Sequence, residues 1–130
     1  MSIDVKICGL SDQAAVACAV DGGAAMVGFV FFPASPRHLT PQQAAALTGD
    51  VPDNIIRVAL TVDADDALLA DIAATAGIDM LQLHGQETPE RVKAIRARYG
   101  MPVMKMLPIA AALDVAGPEA YEDVADRFLF

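Results

Sequence analysis

Tryptophan is absent, and seven residues are aromatic, two Tyr and five Phe. A core without large rings must be built from small and aliphatic side chains. Alanine supplies 25 of the 130 residues, so helices can lie close on whatever they cover. Cysteine is scarce, with Cys8 and Cys18 alone. The opening Met1-Ser2-Ile3-Asp4-Val5-Lys6 has no basic stretch followed by an apolar one, so no secretory leader is read there. A cytoplasmic protein with two free thiols is the expectation. Positive charge is short as well. Nine Lys and Arg face seventeen Asp and Glu, a net charge of −8. That balance excludes a nucleic-acid partner and an anionic membrane surface, both of which reward basic patches. A small phosphorylated ligand stays allowed, because it needs local donors and not a positive overall field. No apolar run approaches the ~20 residues of a membrane span. There is no Gly-x-Gly-x-x-Gly after a strand, no Walker A loop and no Cys-x-x-Cys. His38 and His84 are too few and too far apart for a metal site, and no Ser-His-Asp set is legible. No cofactor and no metal are expected.

What is present alternates. Short, nearly continuous apolar runs, Val5–Cys8, Ala25–Phe32, Ile55–Val62, Ile78–Leu83, Met101–Leu107 and Arg127–Phe130, are separated by alanine-rich stretches with helical punctuation. Runs of this kind read as strands buried on both faces of a parallel sheet. Thr40-Pro41-Gln42-Gln43 combines an N-cap, Pro at the first helical position and a capping-box Gln. Thr88-Pro89-Glu90 repeats the start with a carboxylate at the positive end of the helix dipole. Gly22, Gly23, Gly49, Gly77 and Gly100 fall where helices end, at expected left-handed positions. The pattern is β-α five times and then one further strand, in a single domain spanning 1–130 with no linker. Strand starts recur roughly every 24 residues, so eight units would need nearly 200, close to the lower limit of a (β/α)8 barrel. Two architectures remain, an open doubly wound sheet or an incomplete TIM barrel of about five and a half units. The final Arg127-Phe128-Leu129-Phe130 favours the barrel, because a chain rarely stops inside a buried strand.

In both architectures ligands gather beyond the carboxyl ends of the strands. The first run closes with Lys6-Ile7-Cys8-Gly9-Leu10, in which Lys6 and Cys8 share a face. If that face points inward, a thiol sits at the mouth with an ammonium one layer below, an arrangement that favours the thiolate of a base or nucleophile. Cys8 as one more small buried side chain weighs equally, since location favours chemistry and residue type favours packing. Cys18, between alanines in a helix, is expected only to pack. The second run, with Gly28-Phe29-Val30-Phe31, leads into Ser35-Pro36-Arg37. Two prolines stiffen that loop, and the planar fork of Arg37 suits a carboxylate or phosphate, against the plainer reading of a solvated arginine. The fourth run closes with Gln82-Leu83-His84-Gly85. Gln82 and His84 share a face and need hydrogen-bond partners in the core or in a ligand. Lys105 interrupts the fifth run and must be paired or lie at the mouth. A thiol, a guanidinium, an amide and an imidazole suit proton transfer on a small anionic molecule.

These three segments, in this order and spacing, resemble phosphoribosylanthranilate isomerase of tryptophan biosynthesis, from Val5 to Phe130. The resemblance implies a (β/α)8 barrel and an Amadori rearrangement without cofactor or metal. N-(5-phosphoribosyl)anthranilate becomes 1-(2-carboxyphenylamino)-1-deoxyribulose 5-phosphate. A general acid opens the ribose ring to an iminium, and a cysteine base removes the C2′ proton to give an enolamine that tautomerises. The base falls on Cys8; Arg37 matches the arginine near the anthranilate end; Gln82 and His84 match pocket-lining positions. The implied acid is an aspartate closing a Phe-Leu-Phe-Asp pattern, one position past Phe130, and Asp126 at the strand's start does not take its place. The phosphate-holding loops of the seventh and eighth strands also lie outside these residues. Little or no activity is therefore expected of the 130 residues alone. Two rival readings are another phosphosugar enzyme on the same scaffold and a fragment acting only by assembly. Open first and sixth edges invite self-association.

Overall fold

A computed structural model describes residues 3–108 and 119–129. It contains strands β1 (Lys6–Ile7), β2 (Met26–Phe31), β3 (Ile56–Thr61), β4 (Met80–Leu83), β5 (Val103–Met106) and β6 (Arg127–Leu129). Helices α1 (Gln13–Asp21), α2 (Pro41–Thr48), α3 (Asp66–Thr75) and α4 (Pro89–Tyr99) lie between the first five. Residues 109–118 of the helix expected between β5 and β6 fall outside the described residues, and its described end is a single 3-10 turn at 119–121. All five strand pairs are parallel, and spatial order equals chain order. Each β-α unit thus adds its strand on the same side. That is the winding of a barrel; a doubly wound sheet reverses its order part-way.

Local chemistry starts each helix. Asp12, Thr40, Asp65 and Thr88 are the N-caps, and their side chains accept from the amides of Ala15, Gln43, Leu68 and Arg91. At α2 the box closes reciprocally, the Thr40 amide donating to Gln43 Oε1 at 2.9 Å and the Gln43 amide to Thr40 Oγ1 at 3.1 Å. The expected left-handed ends hold for Gly23, Gly77 and Gly100 only. Gly22 and Gly49 remain right-handed, because their amides still bond back to the Cys18 and Ala45 carbonyls as the helix continues.

The two faces of the sheet differ. On one, Val27, Phe29, Phe31, Leu81, Leu83 and Val103 pack beneath helix residues such as Val16, Leu47, Leu69, Ile72, Val92 and Ile95. Each fully buried large side chain there contributes about 1.5–3 kcal/mol. On the other, Met26, Val58, Met80 and Met104 form a separate cluster, joined by Ile56 and by no helix residue among those described. Arg127 of β6 brings its guanidinium to 3.9 Å from Met26 Sδ and 3.7 Å from an Asp4 carboxylate oxygen, beside β2 and the start of β1. The sheet is therefore curled into a partial barrel, with the methionine cluster on its concave side.

Burial on both faces, expected for all six runs, fails at the margins. Val5 and Ile7 are 50% and 40% exposed, and Leu129 is 38% exposed. β1 pairs only with β2, and β6 only with β5, so each lacks one flank of cover among the described residues. Cys18 also departs from expectation, being exposed and not packed. The helix buries Val16 and Ala19, and Cys18, about 100° around from Ala19, turns toward a groove shared with Val5 and Ile7. Among the described residues no helix is long and apolar enough to cross a membrane.

Candidate active site

Period-two alternation and parallel register decide which side chains meet. Lys6 is level with Met26, so the residues following it along β1 run alongside Gly28. A Cβ built on Gly28 would lie 3.1 Å from Cys8 Sγ and 3.2 Å from Lys6 Nζ. Both groups therefore sit on the concave face over one glycine, which carries the same face as Met26. The ammonium was expected one layer below the thiol. The lysine stem instead climbs one layer, and its nitrogen flanks the same spot as the sulfur. Gly28 itself was overlooked in the sequence, although a glycine inside an apolar strand signals a close approach of this kind.

Arg37 reaches the same place from the loop after β2. Its amide donates to Ser35 Oγ at 3.2 Å, while the His38 amide bonds to Ser35 O and the Leu39 amide to Val30 O. The loop is thus folded back on the strand it leaves. A Cβ on Gly9 would lie 2.3 Å from Arg37 Nη1 and 2.7 Å from its Cζ. The guanidinium rests on the backbone next to Cys8, and Gly9, at φ +78°, adopts a conformation that favours glycine. Arg37 is exposed, as a solvated arginine would be, but it is not randomly placed.

Gln82 and His84 complete the set from β4. Gln82 pairs with Leu60 on β3 and Met104 on β5, in line with Val58 and Met80 below, so it too faces the concave side. Its amide nitrogen and His84 Nδ1 are 3.3 Å apart. Gln82 is buried, yet its Oε1 has no partner among the described residues. Burial lowers the His84 pKa from its ordinary value, and the positive charges of Lys6 and Lys105 lower it further against an opposing Glu87. The structure thus brings the four sequence-selected side chains, Cys8, Arg37, Gln82 and His84, to one end of one face.

Lys105 does not join them. It pairs with Leu83, which places it on the helix side, where it is 2% exposed. Its ammonium donates to Glu87 Oε1 at 2.8 Å and to Gly85 O at 2.7 Å. Of the two outcomes open to a buried lysine, pairing is the one realised. Glu87 was missed because nothing local separates it from the chain's other carboxylates.

Carboxyl-end side chains gathered on the concave side of a chain-ordered parallel sheet define a barrel-type site, with its stability elements at the opposite end. The particular family follows from comparison. A family model described as N-(5'-phosphoribosyl)anthranilate (PRA) isomerase matches residues 5–130, and the chain belongs to that family. The N-(5'-phosphoribosyl)anthranilate isomerase of Brucella canis is 53% identical over 130 residues, the whole of this chain and 59% of that protein. The chain therefore spans about three-fifths of the curated relatives it matches. A phosphoribosyl anthranilate isomerase crystallised with reduced 1-(o-carboxyphenylamino)-1-deoxyribulose 5-phosphate aligns with a TM-score of 0.88 at 30% identity, covering 94% of this chain and 62% of that one. The enzyme from Thermotoga maritima gives the same score and identity over 94% and 58%.

Proposed function

We propose that this chain carries the base-bearing part of an isomerase that converts N-(5-phosphoribosyl)anthranilate to 1-(2-carboxyphenylamino)-1-deoxyribulose 5-phosphate, in tryptophan biosynthesis. The observation that carries the reading is the Cys8 thiol on the concave face, over Gly28 and beside the guanidinium resting on Gly9. In the proposed reaction an acid protonates the ribose ring oxygen and the C1′–O bond breaks, leaving an iminium. Cys8 as thiolate takes the C2′ proton, and the released pair forms the C1′=C2′ bond while neutralising nitrogen. The enolamine then tautomerises to the ketone. Lys6 contributes positive charge beside the thiol, and Arg37 offers a planar fork to the carboxylate at the anthranilate end. Gln82 Oε1, buried and unpartnered among the described residues, accepts from a substrate hydroxyl, and His84 lines the same wall. The aspartate that serves the family as acid, and its phosphate-holding loops, are not among these 130 residues. A single cytoplasmic domain acting on a small phosphorylated molecule fits the acidic balance and the two free thiols.

The test is turnover, followed by loss of anthranilate fluorescence, in this chain extended with the C-terminal part of a relative. Cys8→Ala should lower kcat at least ~10²-fold, since a positioned acid or base typically contributes ~10²–10⁴. Cys18→Ala should leave it unchanged. Equal rates for Cys8→Ala and the parent would remove the thiol from the mechanism. A second reading concerns assembly. The four large apolar side chains exposed among the described residues, Ile3, Val5, Ile7 and Leu129, all lie on or beside the two edge strands. We propose that the 130-residue chain self-associates through those edges; light scattering at the mass of one chain at high concentration would end that reading.

A further inference from the structure

We propose that the buried Glu87–Lys105 pair is a positioning device, which holds the His84 wall of the site in place from the opposite, helix-covered side of the sheet. The inference rests on the proposed function only for what His84 does, not for how it is held.

Five contacts converge on the pair. Glu87 Oε2 accepts from the Asp63 amide at 3.0 Å, and its Oε1 accepts from the Gly85 amide at 3.0 Å and from Lys105 Nζ at 2.8 Å. Lys105 Nζ also donates to Gly85 O at 2.7 Å, so both backbone groups of the residue following His84 are held by one ion pair. The Tyr121 hydroxyl donates to Glu87 O at 2.7 Å and brings in the segment before β6. Loops after β3 and β4 are thereby tied to β5. The side chains are 2% and 3% exposed, so no water competes. His84 is fixed on its other flank by its own amide, which donates to Thr61 O at 2.8 Å.

Asp63 shows how tightly the two loops are joined. It is the non-glycine residue with positive φ, +47°, among those described. Its Oδ1 accepts from the Gln86 amide at 2.8 Å. A Cβ on Gly85 would lie 2.6 Å from the Asp63 carboxyl and 2.7 Å from its backbone nitrogen. A buried ion pair is a poor way to gain stability, since well-packed apolar replacements are often as good or better. What apolar side chains cannot do is accept two backbone amides and donate to a carbonyl in fixed directions. The pair's distinctive contribution is therefore geometry at Asp63 and Gly85, transmitted one residue back to His84.

The experiment follows amide hydrogen exchange by NMR, reading the His84 amide, which is bonded to Thr61 O, against the Val58 amide of β3 as internal control. Lys105→Met combined with Glu87→Leu removes the pair without stranding a charge. If the pair positions His84, the loop loosens and the His84 amide exchanges at least tenfold faster while that of Val58 stays. A folded double variant whose His84 amide exchanges as in the parent overturns the proposal. A purely stabilising pair would lower the unfolding midpoint and speed both amides alike, which also overturns it. Should the double variant not fold, hydrogen exchange in the parent decides. Asp63 and Gly85 amides should exchange as slowly as core strand amides, and fast exchange at either overturns the proposal. Both readouts are independent of turnover, so they stand or fall separately from the isomerase reading.

Discussion

The two ends of the curled sheet treat their polar groups in opposite ways. At the amino end they are used up. The Arg57 guanidinium on β3 donates to Thr48 O at 3.1 Å, to Val51 O at 2.5 Å and to Asp79 Oδ2 at 3.2 Å. Thr48 Oγ1 in turn donates to Ala76 O at 2.8 Å, and inside the curl the apolar methionine cluster is flanked by Arg127 against Asp4. At the carboxyl end Glu87 and Lys105 saturate most of the helix side, where Thr61 Oγ1 is the exception. The concave side is not. Among the described residues, Gln82 Oε1 has no partner, the His84 ring has only Gln82, and the side chains of Lys6, Cys8 and Arg37 make no hydrogen bond. Unspent hydrogen-bonding capacity gathered on several side chains in one quadrant is where a ligand should be sought.

That contrast can be broken by substitutions on either side of it. Arg57→Met should be the most damaging to stability, by about 2 kcal/mol, because it leaves the Thr48 and Val51 carbonyls without their donor. Urea unfolding measures it, and a loss under about 1 kcal/mol would deny the amino end its structural role. Thr40→Ala, which opens the capping box at the carboxyl end, should cost about 1 kcal/mol in the same assay, showing that local caps there do part of what long-range networks do below. Gly28→Ala should cost less in stability and more in function. The new methyl must move Cys8 or Lys6 by a few tenths of an ångström, and turnover of the extended protein should fall about tenfold. An unaffected rate would mean the thiol is not held where the contrast places it.

The pH dependence sharpens the same point with the smallest effect. His84 has a lowered pKa in the folded chain, chiefly through burial. Between the ordinary histidine value near 6.5 and the lower folded value, the unfolded chain binds the proton more readily. Stability should therefore fall as pH drops through that window, in addition to whatever the carboxylates contribute at lower pH. His84→Asn should flatten this part of the profile, as read from urea midpoints between pH 7.5 and 5. Identical slopes for parent and variant would show that the imidazole is as free in the fold as in water.

Much of the site was legible because strands have a period of two. Lys6 with Cys8, and Gln82 with His84, had to share faces whatever the fold, and Gly9 or Gly85 following each marked a turn at a strand's end. The Thr-Pro helix starts were equally readable, since a cap acts over three residues. Lys105 was ambiguous by the same rule. Alternation fixed its neighbours on the other face, but only register with Leu83 says which face lies under helices. Glu87 was invisible, because its partners lie 24 residues before it at Asp63 and 18 after it at Lys105.

The order of strands and helices, the shared faces and the residue types at each strand's carboxyl end follow from the linear sequence, since they depend on propensity, capping and period within a few residues. Curling the sheet so that Arg127 meets Asp4, seating Arg37 on Gly9 and burying one carboxylate among many were decided only in three dimensions. Those contacts join residues far apart in the chain, and no local rule of backbone or side chain encodes which distant partner closes first.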